Sequence, residues 1–293
     1  MDLRIENSPI TCRYLNENDF SNVHKTFLDA FSDYIITFQL TPRQLERHII
    51  LNAVDLSRSV GCFQGEKMVA FTLNGFGMWK GKSTIYDAGT GVVPSFRRRG
   101  LSRAMFDLVF PMCEKQGIEQ CLLEVIIGND KAVKLYENLG FTPIRTLLLM
   151  EIKELLKMPS GVAGGMEIRE IEKPDWNRLL TFWDGDTSWQ NSVEAVERSM
   201  EIKKILGAFI GGECVGYVVF STNLGRVAQL AVDRAHRNRG IATALLMESQ
   251  ALAKDAESLQ VVNLDDSMTE AVRFFKNRGF DELLSQYEML KPF

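Results

Sequence analysis

The sequence has no CxxC pair, no long apolar run and no extended basic stripe, and each absence removes a class of function. Cys12, Cys62, Cys113, Cys121 and Cys214 are odd in number and scattered, so neither a disulfide framework nor a zinc site is indicated. No apolar stretch approaches the roughly 18–20 residues of a membrane helix, and the opening MDLRIENSPI carries no apolar run of the signal-peptide kind. The expectation is a reduced cytoplasmic protein with no membrane partner. The formal net charge of -4 and a pI near 5.6 give no global attraction to nucleic acid, so none is expected as a partner. His24, His48 and His236 lack metal-ligand spacing, so no metal is expected. A Gly-x-Ser-x-Gly elbow is missing as well, which argues against a Ser-His-Asp hydrolase. What the 293 residues do contain is 45% hydrophobic side chains, enough for a sizeable core without staples.

They also contain a repeat. Arg97-Arg98-Arg99-Gly100-Leu101-Ser102 recurs as Arg237-Asn238-Arg239-Gly240-Ile241-Ala242, and Leu135-Tyr136-Glu137-Asn138-Leu139-Gly140-Phe141 recurs as Phe274-Phe275-Lys276-Asn277-Arg278-Gly279-Phe280. Upstream, Cys62–Phe71 aligns with Ala208–Tyr217. Units of this length are too long for a solenoid and read as whole domains. The Pro159–Gly165 cluster is a linker by its turn chemistry. Residues 1–157 therefore form one domain, 158–165 a linker and 166–293 a second domain.

Each half gives the same coarse order: an early strand, helical segments, then a hairpin turning at Gly65-Glu66-Lys67 or Gly211-Gly212-Glu213. A strand over Thr84–Val93 or Arg226–Val232 leads into the Arg/Gly loop and a helix. A further strand follows (Cys121–Ile127; Leu259–Leu264), then a short helix closed by Gly140 or Gly279, and a last strand, Thr146–Ile152 in the first half. The first post-loop helix shows a face of Leu101, Ala104, Met105, Leu108, Val109 and Met112, with Pro111 expected to kink or shorten it. In the second half, Ser267-x-x-Glu270 reads as a capping box. The fold class is mixed α/β (α+β).

A strand running into Arg97-x-x-Gly100-x-Ser102 at a helix start suits a phosphate. The first N–H groups of a helix have no intrahelical acceptor, the helix dipole adds positive character, and glycine permits close approach. The arginines add charge-assisted hydrogen bonds. A solvated basic turn is the competing reading of one such loop, and its repetition in both halves favours the anion site.

With these motifs in place, the chain resembles the GNAT superfamily of acetyl-CoA-dependent N-acetyltransferases. The resemblance rests on Val92-Val93-Pro94-x-x-Arg97-x-x-Gly100-x-Ser102, then Leu123-Glu124-Val125, then Asn129-x-x-Ala132-x-x-Leu135-Tyr136-Glu137-x-x-Gly140-Phe141. Ser102 departs from the family's usual glycine or alanine, whereas Ala242 conforms. The resemblance implies two tandem GNAT-like domains, each a mixed, splayed sheet flanked by helices, with acetyl-CoA as cofactor. It implies that Val92 and Val93 meet pantetheine through their main chains, that Arg98, Arg99, Gly100, Leu101 and Ser102 enclose the pyrophosphate, and that Asn129 lies on the cofactor side. Asn129 reads equally as a helix N-cap. Val232, Arg237, Arg239, Gly240 and Ala242 are the counterparts in the second half.

Acetyl transfer to an amine requires an uncharged nucleophile, a place for the oxyanion and a proton for the departing thiolate. A phenol with an ordinary pKa of about 10 can protonate a thiolate whose thiol titrates near 8.5. Tyr136 sits where the family keeps such a tyrosine, and Glu124 is the candidate base, with Asp87 a weaker alternative. A strand N–H near Val92 would meet the oxyanion. Phe275 stands for Tyr136 in the second half, and Asn263 stands for Glu124. The expected function is N-acetyl transfer to a primary amine of a small molecule or peptide, with the chemistry in the first half. The alternative is a non-catalytic acyl-CoA-binding or interaction protein. The resemblance implies that Phe27–Ile50 lies on the acceptor side; Phe27–Tyr34 carries acids that could meet a cationic amine, and its aromatic spacing reads at least as well as core.

Overall fold

The computed structural model describes residues 8–33, 40–157 and 165–293. Tyr34 and nearly all of the expected linker therefore lie outside the described residues. Elements follow the order β1 (Ile10–Tyr14), α1 (Phe20–Ala30), α2 (Pro42–Leu51), β2 (Val60–Gln64), β3 (Lys67–Trp79), β4 (Lys82–Val92), α3 (Leu101–Lys115), β5 (Gln120–Ile126), α4 (Asp130–Asn138) and β6 (Thr142–Ile152). The second series is β7 (Met166–Glu170), α5 (Trp176–Leu180), α6 (Val193–Arg198), β8 (Lys203–Ile210), β9 (Glu213–Ser221), β10 (Arg226–Val232), α7 (Ile241–Leu252), β11 (Leu259–Asp265), α8 (Thr269–Lys276) and β12 (Asp281–Pro292).

The chain forms two compact units that are not the two sequence halves. Unit 1 takes the residues up to Val125, then Asn129–Ile144 and Glu288–Phe293; unit 2 takes Ile126–Gly128 and Arg145–Tyr287. In unit 1 the strand order is β1-β2-β3-β4-β5, with the end of β12 beside β5. In unit 2 it is β6-β11-β10-β9-β8-β7. The apolar strand expected to close the first half thus serves the second. Leu148, Met150 and Ile152 are buried in one cluster with Leu206, Val218 and Phe220 of unit 2, and Ile152 pairs with Leu259 of β11. In exchange, the Phe293 N–H donates to the Glu119 carbonyl in unit 1, and the Phe293 ring meets Phe110 at 5.6 Å.

Local chemistry accounts for the elements. Gly65 (φ 60°) turns the β2–β3 hairpin, and Gly211 and Gly212 (φ 58° and 86°) turn β8–β9, conformations that favour glycine. Thr41 and Gln44 form a capping box on α2, with Pro42 in its first turn. On one face of the unit 1 sheet, Phe27 of α1 stacks on Phe71 of β3 at 5.6 Å. On the other, α3 and α4 join through Phe106, Tyr136 and Phe141, with ring centroids 5.7–6.3 Å apart.

Four expectations are corrected. Cys12 and Cys62 are directly opposed across β1 and β2 and form a disulfide, because strand register rather than sequence spacing brings them together. Pro111 does not shorten α3, which runs 15 residues through it. The Tyr14 hydroxyl donates to the Leu108 carbonyl in the turn the proline disturbs, satisfying a polar group there. The buried face of α3 is Leu101, Met105, Phe106, Val109 and Cys113, rotated to admit Phe106 to the aromatic cluster. Lastly, Ser267 caps nothing: its hydroxyl donates to Asp265, and α8 begins after Met268 without a side-chain cap.

Candidate active site

In both units a β-bulge opens the sheet at the same place. Leu73 and Asn74 of β3 oppose Gly89 and Asp87, which leaves Ala88 extra on β4. Val227 and Gln229 of β10 oppose Phe220 and Val219, which leaves Ala228 extra. The parallel pairing of β4 with β5 covers Thr84–Asp87 against Gln120–Leu123, and that of β10 with β11 covers Arg226–Val227 against Gln260–Val261. From each bulge onward β4 and β10 are held from one side only.

Register shows what faces the gap. Val92 pairs with Ala70, and the Val93 N–H donates to the Val69 carbonyl at 3.0 Å. Val92 is therefore in a non-hydrogen-bonded pair and turns its own N–H and C=O away from β3. Thr90, two residues earlier, does the same. Val232 is placed identically, since it pairs with Gly216 while the Asp233 N–H donates to the Val215 carbonyl at 2.9 Å. The expectation for Val93 is corrected: its N–H is committed to Val69.

The Arg/Gly loop folds alike in both units. Arg98 and Asn238 are left-handed (φ 62° and 61°), as are Gly100 and Gly240 (φ 74° and 78°). Such alternation points successive N–H groups into one concavity, an anion nest at the start of α3 or α7. Arg97 shapes the loop from below: its guanidinium donates to the Val92 and Ala30 carbonyls and to Asp33 at 2.6–2.7 Å. Arg237 does the same with Val232, Phe182 and Asp184. Arg237 thus acts on the loop rather than on a phosphate, and Asp33 is occupied by Arg97 rather than open to an amine. The hydrogen bond from Arg97 holds the Asp33 carboxyl below its usual range. Arg98, Arg99 and Arg239 are exposed at the rim, Ser102 and Ala242 are half-buried, and the Leu101 side chain is in the core. Asn129 is an N-cap: its side chain accepts from the Ala132 N–H at 3.3 Å.

At the apex of the unit 1 gap stand two tyrosine–carboxylate pairs on opposite faces of the sheet. Tyr86 lies opposite Leu122, so Glu124, two residues on, shares its face, and the Tyr86 hydroxyl donates to Glu124. Asp87, the next residue, points the other way and accepts from the Tyr136 hydroxyl of α4 at 3.2 Å. Burial pushes Asp87 up to about 6, against hydrogen bonds from Thr90, the Gly89 N–H and Tyr136. Burial, then the charge of Glu124, drives Tyr86 well above 10, so it stays a protonated donor. His48 of α2 donates from Nε2 to the Ala88 carbonyl at 2.8 Å and accepts from Asn52 at Nδ1. Burial lowers its pKa, so the imidazole stays neutral and pins the bulge. Sequence reasoning placed Tyr136 and Glu124 but missed Tyr86 and His48. The tyrosine sits beside Asp87 in β4, and strand alternation sets the two neighbours on opposite faces.

Unit 2 lacks both pairs. Strand register puts Arg226 for Tyr86 and Val227 for Asp87, while Phe275 replaces Tyr136. In strict register Val262 answers to Glu124, and Asn263 is the left-handed bulge residue beside it (φ 58°). A neutral chain lies instead along the gap: Trp183 to Tyr217 at 2.5 Å, Tyr217 to Gln229 at 2.9 Å, and Gln229 to the Asn191 carbonyl at 2.6 Å. Unit 2 nevertheless holds a cavity of about 630 Å³, lined by Val232, Gly240, Ala242, Thr243, Phe274 and Arg278 among others. The cavity and the titratable pairs are in different units. Volume alone marks space for a ligand, whereas the tyrosine–carboxylate pairs that could move a proton belong to unit 1. Among the described residues no cluster could hold a metal ion, and no helix is long and apolar enough to cross a membrane.

The model of the acetyltransferase (GNAT) family matches residues 23–141 and again 166–280. Among solved structures, the GCN5-related N-acetyltransferase from Sphaerobacter thermophilus is 16% identical with a TM-score of 0.74, covering 98% of this chain and 97% of that one. A tandem GNAT protein from the clavulanic acid biosynthesis pathway is also 16% identical, with a TM-score of 0.71 over 97% and 98% of the two chains. A putative acetyltransferase from Pyrococcus horikoshii is 17% identical, with a TM-score of 0.69 over 97% and 89%. At such identities the likeness is one of fold, and it spans both sequence repeats.

Proposed function

Because the chain belongs to the GNAT acetyltransferase family, in tandem two-domain form, we propose that unit 1 is an acetyl-CoA-dependent N-acetyltransferase. It acts on a primary amine of a small molecule or peptide. The observation that carries this reading is the placement of Tyr86–Glu124 and Tyr136–Asp87 on opposite faces of the sheet where β4 and β5 part. The residues present fit the cofactor. Val92 and Thr90 offer main-chain groups to an amide-bearing arm, and the Arg98–Ser102 nest offers N–H groups and a helix N-terminus to a pyrophosphate. Acetyl-CoA supplies an acyl group activated as a thioester.

The rest is done by the chain. Glu124, on the face of the early helices, takes the proton from the acceptor ammonium, directly or through water. Tyr86 holds one oxygen of that carboxylate and fixes its direction. Tyr136, on the other face, holds a proton at Oη for the leaving sulfur, and Asp87 orients the hydroxyl. A strand N–H near Val92 would meet the negative charge that develops on oxygen.

Thiol release from acetyl-CoA, measured with a panel of amines and peptides, tests the proposal. Turnover lost in Tyr136→Phe and Glu124→Gln supports it. Turnover that survives Tyr136→Phe but is abolished by changes at Arg239 and Gly240 reverses the assignment of the units.

A second reading applies to unit 2, favoured by its cavity and its neutral hydrogen-bond chain. There the fold binds an acyl-CoA without turning it over. If the whole protein binds coenzyme A yet is silent with every amine, that non-catalytic reading extends to unit 1.

A further inference from the structure

The last strand of the chain delivers a second carboxylate to the unit 1 site. β12 lies beside β5, and two main-chain bonds fix the register: Ile127 N–H to Ser285 O and Phe293 N–H to Glu119 O, each 3.0 Å. Counting inward from either bond, one residue on β12 for one on β5, brings Glu288 directly opposite Glu124. The same register sets Lys291 opposite Cys121, and the Lys291 charge does act on that thiol. Directly opposed side chains share a face with Cβ atoms about 4.5–5.5 Å apart. Glu288 is fully buried, at 0% exposure.

We propose that Glu288 is a positioning residue for Glu124: the two carboxyls hold one proton between them, and Glu288 thereby sets the pH at which Glu124 accepts a proton from the acceptor amine. This rests on the reading of Glu124 as the base. Two carboxylates removed from water and set side by side do not both ionise readily, and they titrate as a pair in two separated steps. From β4 come the Tyr86 hydroxyl, donating to Glu124, and Asp87, turned to the opposite face. From β12, Lys291 points to the opposite face, with its ammonium over the Phe110 ring. α2 carries Arg47, whose Nε is buried, beside the neutral His48 at the bulge. Glu288 also acts electrostatically on Tyr86, which places it within reach of the pair.

The experiment is a carbon-detected NMR titration of the full chain labelled at glutamate side-chain carboxyls. Wild type is compared with Glu288→Gln, Glu288→Asp and Glu124→Gln, and no turnover is required. Expected in wild type are two coupled steps separated by more than one pH unit. In Glu288→Gln a single step remains at lower pH, and Glu288→Asp restores the coupling. Glu124 titrating at the same pH with and without Glu288 would overturn the proposal, as would both carboxyls ionising together below pH 5. A pH profile of kcat/KM then tests the reading beneath it. The ascending limb moves at least one unit lower in Glu288→Gln if Glu124 is the base, which raises kcat/KM about tenfold on that limb. A coupled NMR titration with an unmoved limb would instead overturn Glu124 as the base and the catalytic half of the proposal with it, while the shared proton stands.

Discussion

The Tyr136 hydroxyl donates to Asp87 at 3.2 Å, and Asp87 is the last residue through which β4 pairs with β5. The hydroxyl is thus held at the apex of the gap by a carboxylate that burial has brought to about 6. A tyrosine so anchored loses little freedom when it gives up its proton, and its ring is fixed by Phe106 and Phe141.

Tyr136→Phe keeps the ring and removes only the donor. The expected loss is about 10²-fold or more in kcat, within the usual span of general acid–base catalysis, while KM for acetyl-CoA changes a few-fold at most. Stopped-flow thiol detection measures both. A kcat within a factor of about three of wild type removes Tyr136 from the mechanism.

Asp87 also makes the fold sensitive to pH. Its folded-state pKa is raised from 3.8 to about 6, so between those values the folded form holds a proton that the unfolded chain has lost. Stability must therefore fall as pH rises through that window and remain lower above it. The displacement corresponds to about 3 kcal/mol at most. Asp87→Asn keeps an acceptor for the Gly89 N–H and removes the titration. The variant is expected to be more stable than wild type above pH 6, with the advantage shrinking towards pH 4. Urea titrations at pH 4.5 and 7.5 measure it, and an equal effect at both places the cost elsewhere.

Much of this arrangement was legible in the sequence. The Arg/Gly loop, the Tyr136 helix and both hairpins announced themselves because each is written by local chemistry: glycine at positive φ, a strand–loop–helix order, a capping residue. What stayed hidden depends on partners distant along the chain. Thr146–Ile152 reads as a last strand wherever it pairs, and nothing in its alternation says that β11 is its neighbour. Cys12 and Cys62 meet only through the β1–β2 register. Glu288 reads as one acid in a terminal strand until that strand is laid against β5. The bulge at Ala88 leaves no residue signature either, yet it marks where β4 parts from β5.

The Cys12–Cys62 bridge closes a loop with a sequence separation of 50, which constrains the unfolded chain. Bridges of this kind contribute about 2–4 kcal/mol. Addition of dithiothreitol is expected to lower the unfolding free energy by that order. The double variant Cys12→Ala/Cys62→Ala should show the lower value with or without reductant. Equal denaturation curves for wild type under both conditions mean that the bridge does not form in solution or adds nothing to stability.

Gly100 separates the phosphate loop's conformation from its contacts. Its φ of 74° disfavours any side chain, while a Cβ built there meets nothing within 4 Å. Gly100→Ala is therefore expected to cost about 1 kcal/mol of folding stability through the backbone alone. Relief of that strain would shift the loop away from the conformation in which its N–H groups converge on an anion. Affinity of unit 1 for coenzyme A should drop tenfold or more, well beyond the stability change. Gly240, at φ 78°, is the matching position in unit 2. Calorimetric titration with coenzyme A is expected to show two binding events in wild type and one in each single variant, and only Gly100→Ala should reduce turnover. If Gly240→Ala abolishes acetyl transfer while Gly100→Ala spares it, the reactive thioester is carried by unit 2 and the roles of the two loops are exchanged.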